Sequence, residues 1–230
     1  KEREPVRGTY RGNEIISMPP PSSGGIVLMQ ILNMLEPFDI GSLGNNSAAA
    51  LHLYSEASKL AFADRAEYMG DPDFADVPAS WLVRKDYAAQ RMRKFDPTHA
   101  VPSSEIKYGQ SRAEGSETTH FTVVDPSGMV VSNTYTINDL YGSRVTAKGT
   151  GVLLNDEMDD FAARPGQPNM YGLIQGERNK VEGGKRPLSA MTPTIVLRKD
   201  GTPWFAVGAR GGPRIISAVT QTIINVIDFG

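Results

Sequence analysis

The pattern of apolar and polar positions changes character at residue 118. Before it, helix-length segments alternate with loops. After it, short stretches of strand-like alternation dominate. Residues 8–18 read as a hairpin, with Gly8-Thr9-Tyr10 and Glu14 to Met18 flanking a turn at Arg11-Gly12-Asn13. Pro19 to Gly25 forms a rigid loop into an apolar helix from Ile26 to Leu35, with Ser22 or Ser23 as N-cap and Pro37 ending it. Ser47 caps a long helix to about Tyr68, with Leu51, Tyr54, Ala57, Leu60 and Ala61 on one face. A third helix is expected over Ser80 to Phe95, and Pro102 to Glu117 is a polar, structureless linker.

Beyond the linker, Thr119–Asp125 and Met129–Asn138 form two strands around the turn Asp125-Pro126-Ser127-Gly128. Asp139 to Lys148 is a loop, and Val152-Leu153-Leu154 is a short strand or a buried turn. Ala162 to Arg186 is rich in Gly, Pro and Asn, and irregular stretches of that length are usually functional or disordered. Thr194–Leu197 and Trp204–Val207 form a second hairpin about Lys199-Asp200-Gly201. Pro213 suits the first turn of a helix to about Asp228, whose face of Ile215, Ile216, Val219 and Ile223 reads as core, as does Trp204. Helices, then hairpins, then a helix predict an α+β fold, a layered antiparallel sheet with flanking helices.

Composition narrows the function classes. With 230 residues, 40% hydrophobic and 22% charged, the chain has enough apolar side chains for a sizeable core. A net charge of -2 argues against a nucleic-acid or anionic-membrane partner held by bulk charge. There is no apolar run of roughly 18 residues that would span a bilayer. The absence of cysteine excludes disulfides, thiolate metal sites and cysteine nucleophiles. His52, His99 and His120 are far apart and form no zinc pattern, so neither a metal nor a cofactor is expected. Lys1-Glu2-Arg3-Glu4-Pro5 and the stop at Gly230 read as the ends of a fragment, so a missing signal segment says nothing of compartment.

Four stretches carry candidate chemistry. At Glu117-Thr118 a flexible linker meets a rigid strand. A threonine hydroxyl needs an adjacent base, and cutting the chain before Thr118 supplies one, an α-amine with a pKa near ~8. Ordinary strand propensity also explains Thr-Thr there. Gly208-Ala209-Arg210-Gly211-Gly212-Pro213-Arg214 joins a strand to a helix, where backbone N–H groups form an anion site or oxyanion hole. A tight turn is the simpler account, and a phosphate loop lacks its lysine. Asn155 to Phe161 places Asp156, Glu157, Asp159 and Asp160 together, which suits either a solvated loop or a cation such as a substrate amine. The spacing of a calcium loop is missing. Lys185 to Pro193 combines cations with the Ser189 hydroxyl between two prolines and reads as a carboxylate site or a surface loop.

Taken together these stretches resemble the γ-glutamyltransferase (glutathione hydrolase) family of N-terminal-nucleophile hydrolases. The resemblance runs through Ser17 to Gly25, Ala63 to Tyr68, Thr118-Thr119-His120, Leu153 to Phe161, Lys185 to Ser189 and Gly211-Gly212, in family order. It implies an αββα four-layer sandwich, present as a fragment, and a precursor that cuts itself before Thr118. Residues 1–117 would then end a large subunit and residues 118–230 begin a small one, together one structural domain. The resemblance assigns Thr118 as nucleophile, Thr136 as holder of its amine, and Gly211 and Gly212 as oxyanion donors. It assigns Asn138, Glu157 and Asp160 to the α-amino end of a γ-glutamyl group, Ser189 to the α-carboxylate, and Tyr171 to a lid.

The chain departs from the family pattern at Ala190, where a second serine is usual. One hydroxyl contact is lost there, worth on the order of 1–2 kcal/mol if uncompensated. The arginine that the family sets against the carboxylate lies upstream of residue 1. The implied reaction is γ-glutamyl transfer to water or an amino acid from donors such as glutathione, in a periplasmic or secreted enzyme. The alternatives are an acylase acting on glutaryl amides or poly-γ-glutamate, and a non-catalytic binding homologue.

Overall fold

The structure, a computed structural model, describes residues 1–106, 118–169 and 172–230. Strands β1 (Val6–Tyr10) and β2 (Asn13–Ser17) form the expected hairpin. Its two turn residues, Arg11 and Gly12, both have positive φ, which matches the right-handed twist of the strands. Arg11 is held there by an ion pair with Asp228 at 2.8 Å.

Helix α1 (Gly24–Leu35) is buried on every side, as a helix apolar all round must be. Its first two residues are glycines because the backbone packs directly on other chain segments. A Cβ on Gly24 would collide with the Met191 carbonyl, and one on Gly25 with the Met18 carbonyl. Ser23 occupies the N-cap position, but its hydroxyl makes no capping bond. That hydroxyl is committed to the 185–190 loop instead, as described below.

Helix α2 (Ala48–Tyr68) is capped by Ser47, whose side chain accepts from Ala50 N–H. Its buried stripe is rotated from the expected one. Ala57 and Ala61 are in the core, but Leu51 is 45% exposed and Leu53 is buried instead. The rotation brings polar Glu56, Asp64 and Arg65 inside, each with a partner, which hydrophobic periodicity does not see. The single helix expected over 80–95 is broken into α3 (Ala79–Leu82), α4 (Lys85–Arg91) and a 3₁₀ turn at Met92–Lys94. Asn33 Nδ2 takes the Val83 carbonyl at 2.8 Å, and Asp86 takes its neighbour Tyr87 N–H at 2.9 Å. Both contacts compete with helix continuation at the break.

Strands β3 (Thr118–Val124) and β4 (Val130–Thr136) pair in a register that sets Thr118 opposite Thr136. Asp125 Oδ1 accepts from Ser127 and Met129 N–H and fixes the turn between them. Strands β5 (Thr194–Leu197) and β6 (Pro203–Val207) complete a four-stranded antiparallel sheet in the order β1-β2-β5-β6. Ile15 and Val196, paired across β2 and β5, enter the core with α1, α2 and helix α5 (Arg214–Asp228). The expected face of α5, Ile215, Ile216, Val219 and Ile223, is buried there, with Trp204 packed against it.

The β3–β4 pair packs on β5 and β6 through its polar face. Ser132 Oγ reaches the Thr194 carbonyl at 3.5 Å, and the His120 ring lies over Gly208. The result is a helix–sheet–sheet stack, the α+β class expected, and part of an αββα sandwich. The opposite face of β3–β4, with Phe121, Val123, Val131 and Tyr135, is exposed in this chain. Val152, Leu153 and Leu154 are also exposed, and of the two alternatives the strand one is met only by a single antiparallel bridge between Leu153 and Thr146. They form one side of an irregular turn held by Leu154 N–H to Val145 O and Ala147 N–H to Val152 O, both 2.8 Å. Most of the expected linker, residues 107–117, lies outside the described residues, and before it Ser103–Glu105 makes one 3₁₀ turn.

Candidate active site

Thr118 begins β3 and is buried, with 7% of its surface exposed. Its hydroxyl lies 3.4 Å from Thr136 Oγ1, the outer edge of a hydrogen bond. Thr136 Oγ1 also accepts from Asn138 N–H at 2.8 Å. Asn138 follows β4 with φ +74°, a left-handed conformation that asparagine tolerates better than most side chains. This twist lets Asn138 Nδ2 donate to the Asp156 carbonyl at 3.2 Å. Asp156 Oδ1 in turn accepts from Asp139 N–H at 2.9 Å. The acidic turn is thereby fastened to the end of the strand that faces Thr118.

One cavity gathers most of the expected residues. Thr118, Thr136, Asn138, Asp160, Ser189 and Gly212 all line it, joined by Arg65 and Ala190. Its empty space is about 380 Å³ including the mouth. Gly211 and Glu157 do not line it. The Gly211 and Gly212 carbonyls accept from Arg214 and Ile215 N–H at the start of α5, and both glycines have positive φ. Tyr171 lies outside the described residues.

The electrostatics are unusual for so small a volume. Glu157 and Asp160 share the 3₁₀ turn Glu157–Asp160. Burial, reinforced by Asp160, lifts the Glu157 carboxyl to about 8. Burial also lifts Asp160, to about 6, against the opposing pull of a Glu157 hydrogen bond and the Arg65 charge. Burial and mutual repulsion thus push both carboxyls of the pair toward the protonated form. Arg65 is buried, and desolvation lowers its guanidinium to about 10, still charged at pH 7. Its Nε donates to Ser23 Oγ at 2.8 Å, and that hydroxyl donates to the Ser189 carbonyl at 2.8 Å. Arg65 thus stands between the acidic turn and the serine loop.

The 185–190 loop is anchored twice more. Ser22 and Ser189 form a parallel bridge, with Ser189 N–H donating to Pro21 O at 3.1 Å. Arg186 grips the buried Asp71 with its backbone N–H, Nε and Nη2 at 2.9, 2.9 and 2.7 Å. Sequence reasoning singled out the Ser22-Ser23 and Ala63–Tyr68 stretches but gave no role to Arg65. It also passed over Gln175 and Asn179. The available signal was a charged pair, Asp64-Arg65, between Ala63 and Ala66 on a helix otherwise read as apolar-faced. Among the described residues there is no cluster of three or more His, Cys, Asp or Glu able to hold a metal, and no helix long and apolar enough to cross a membrane.

The fold is shared with a cephalosporin acylase from Bacillus halodurans, at a TM-score of 0.78 and 23% identity over 99% of this chain and 38% of that one. The family model for γ-glutamyltranspeptidase matches residues 1–230. The chain belongs to the γ-glutamyltranspeptidase family. It is 51% identical over its whole length to a glutathione hydrolase proenzyme of Escherichia coli strain K12. It is also 44% identical, over 98% of its length, to an acylase ACY 1 proenzyme of a Pseudomonas species, strain SE83. The chain spans about 40% of the length of these relatives.

Proposed function

We propose that the protein carrying this chain cuts itself before Thr118 and then transfers γ-glutamyl groups from donors such as glutathione to water or amino acids. The single observation carrying this reading is the cavity that joins Thr118 and Thr136 to Asp160 and Ser189. Before cutting, the Thr118 nitrogen is an amide and has no basic lone pair. After it, the α-amine takes the hydroxyl proton as Thr118 Oγ1 attacks the γ-carbonyl carbon, and Thr136 holds that amine. N–H groups of Gly211 and Gly212 stabilise the oxyanion, which collapses to an acyl-threonine as the amine leaving group departs with the proton. Water or an amino acid then releases the glutamyl group. Ionised Asp160, with Asn138 and Glu157, receives the α-ammonium, and Ser189 receives the α-carboxylate. Tyr171 is assigned to the lid by the family pattern alone.

The acidic pair favours a γ-glutamyl donor over a glutaryl one. A half-buried pair of carboxyls that burial drives toward neutrality is relieved by a cation, and a glutaryl group brings none. The acylase relative and Ala190 support the second reading, an acylase of glutaryl amides. The relatives' naming as proenzymes supports self-cutting and two subunits from one precursor, and the family resemblance supports a periplasmic or secreted setting. Turnover of γ-glutamyl-p-nitroanilide and glutaryl-p-nitroanilide by the full-length protein separates the readings. The proposal expects the first to exceed the second by at least about 100-fold, the scale of losing a charge-assisted contact. Equal or reversed preference would overturn it in favour of the acylase.

A further inference from the structure

Asn179 ends the 3₁₀ turn Glu177–Asn179 and is 1% exposed, yet it does not line the cleft that holds Thr118. Its side-chain amide joins two segments distant in sequence. Nδ2 donates to the Asp160 carbonyl at 2.8 Å and also meets Gln175 Oε1. Oδ1 accepts from Leu188 N–H at 3.0 Å. The Asn179 carbonyl accepts from Ala162 N–H at 2.9 Å, within the parallel bridge Ala162–Lys180. The planar amide is therefore a splint, with its donor side on the acidic turn and its acceptor side on the residue before Ser189. Only a group with a donor and an acceptor at opposite edges of one plane satisfies both segments. A buried amide that lost either partner would leave a polar group unpaired, so the spacing it imposes is stiff.

We propose that Asn179 is a positioning residue that sets the separation between Asp160 and Ser189, and hence the preference for donors carrying both an α-amine and an α-carboxylate. The inference rests on the γ-glutamyl reading above. It assigns Asn179 no contact with substrate and no part in the acyl chemistry at Thr118. Loosening the splint should therefore weaken donor binding and leave self-cutting and the acyl step in place.

The test uses the full-length protein with Asn179→Asp, which keeps the volume and the acceptor for Leu188 but sets an oxygen against the Asp160 carbonyl. Asn179→Ser serves as a second variant. Steady-state constants are measured on γ-glutamyl-p-nitroanilide and glutaryl-p-nitroanilide, with subunit masses as a check on self-cutting. The expected result is a KM for the γ-glutamyl donor raised about 10- to 100-fold, the scale of one disturbed hydrogen bond to a charged group, with kcat and any glutaryl turnover within about threefold. A matching fall on both donors, a fall in kcat alone, or no change would overturn the inference. Loss of self-cutting in both variants would overturn it too, since Asn179 would then serve the fold. A parent protein without γ-glutamyl turnover would instead sink the functional reading, and this inference with it.

Discussion

Replacing Asp71 by alanine should loosen the loop that carries Ser189. Asp71 is fully buried and accepts three N–H groups of Arg186, two of them from the guanidinium, so the pair is bidentate and charge-assisted. Burial alone would raise the Asp71 carboxyl, but the Arg186 hydrogen bonds overcome it and hold the group below its ordinary value. Breaking a buried pair from one side costs about 3–5 kcal/mol. Here the arginine side chain is 37% exposed and keeps Asp73 at 2.6 Å, so water and a second carboxylate recover part of the loss. A net cost of about 2–3 kcal/mol to the closed loop remains. That corresponds to amide hydrogen exchange across 185–190 faster by about 30- to 150-fold, with a higher KM for the γ-glutamyl donor. The sign with pH follows from the lowered carboxyl. The contribution is complete above the unfolded value near ~3.9 and disappears as pH falls through the lower folded value. Exchange within about twofold of the parent at pH 7, with KM unchanged, would refute the reasoning.

Three further outcomes follow from the site. Because burial holds Asp160 near 6, the ionised form that attracts an ammonium appears only above that pH; kcat/KM for the γ-glutamyl donor should climb through about 6, and Asp160→Asn should abolish this limb and lower the plateau at least about 100-fold. The raised Glu157 carboxyl means the folded protein binds a proton that the unfolded chain has released between about 4.5 and about 8, so unliganded stability should fall as pH rises across that window, and Glu157→Gln should flatten the fall in urea-unfolding midpoints. Gly208→Ala would drive a methyl into the His120 ring; the expected loss is about 1–3 kcal/mol, seen as a lower unfolding temperature, and an unchanged one would show that the ring moves aside freely.

What the sequence revealed and what it concealed divide along a physical line. The two hairpins, α1, α2 and α5 carry strong local signals: turn glycines, the Ser47 cap, Pro213 and continuous apolar runs. The break between α3 and α4 was hidden because Asn33, fifty residues away, takes the carbonyl that decides it. The site follows the same division. Thr118 stood out at the change from linker to strand, and register alone brings Thr136 beside it. Asp160 and Ser189 required the family pattern, because nothing local says that two surface-like loops face each other. Arg65 and Asn179 were least visible, since each acts through long-range contacts to Ser23, Asp160 and Leu188. Exposure of Leu51 shows the converse case, in which an apolar residue on the expected face has no partner to bury it.

The central claim is that Thr118 is freed by self-cutting and becomes the nucleophile. The most direct measurement is the denatured intact mass of the purified full-length protein beside its Thr118→Ala variant, each before and after a γ-glutamyl donor. The account predicts two pieces in the parent, the smaller beginning at Thr118 and gaining a glutamyl mass during turnover, and one uncut chain in the variant. A parent that stays whole, or a variant that cuts and turns over as the parent does, would contradict it.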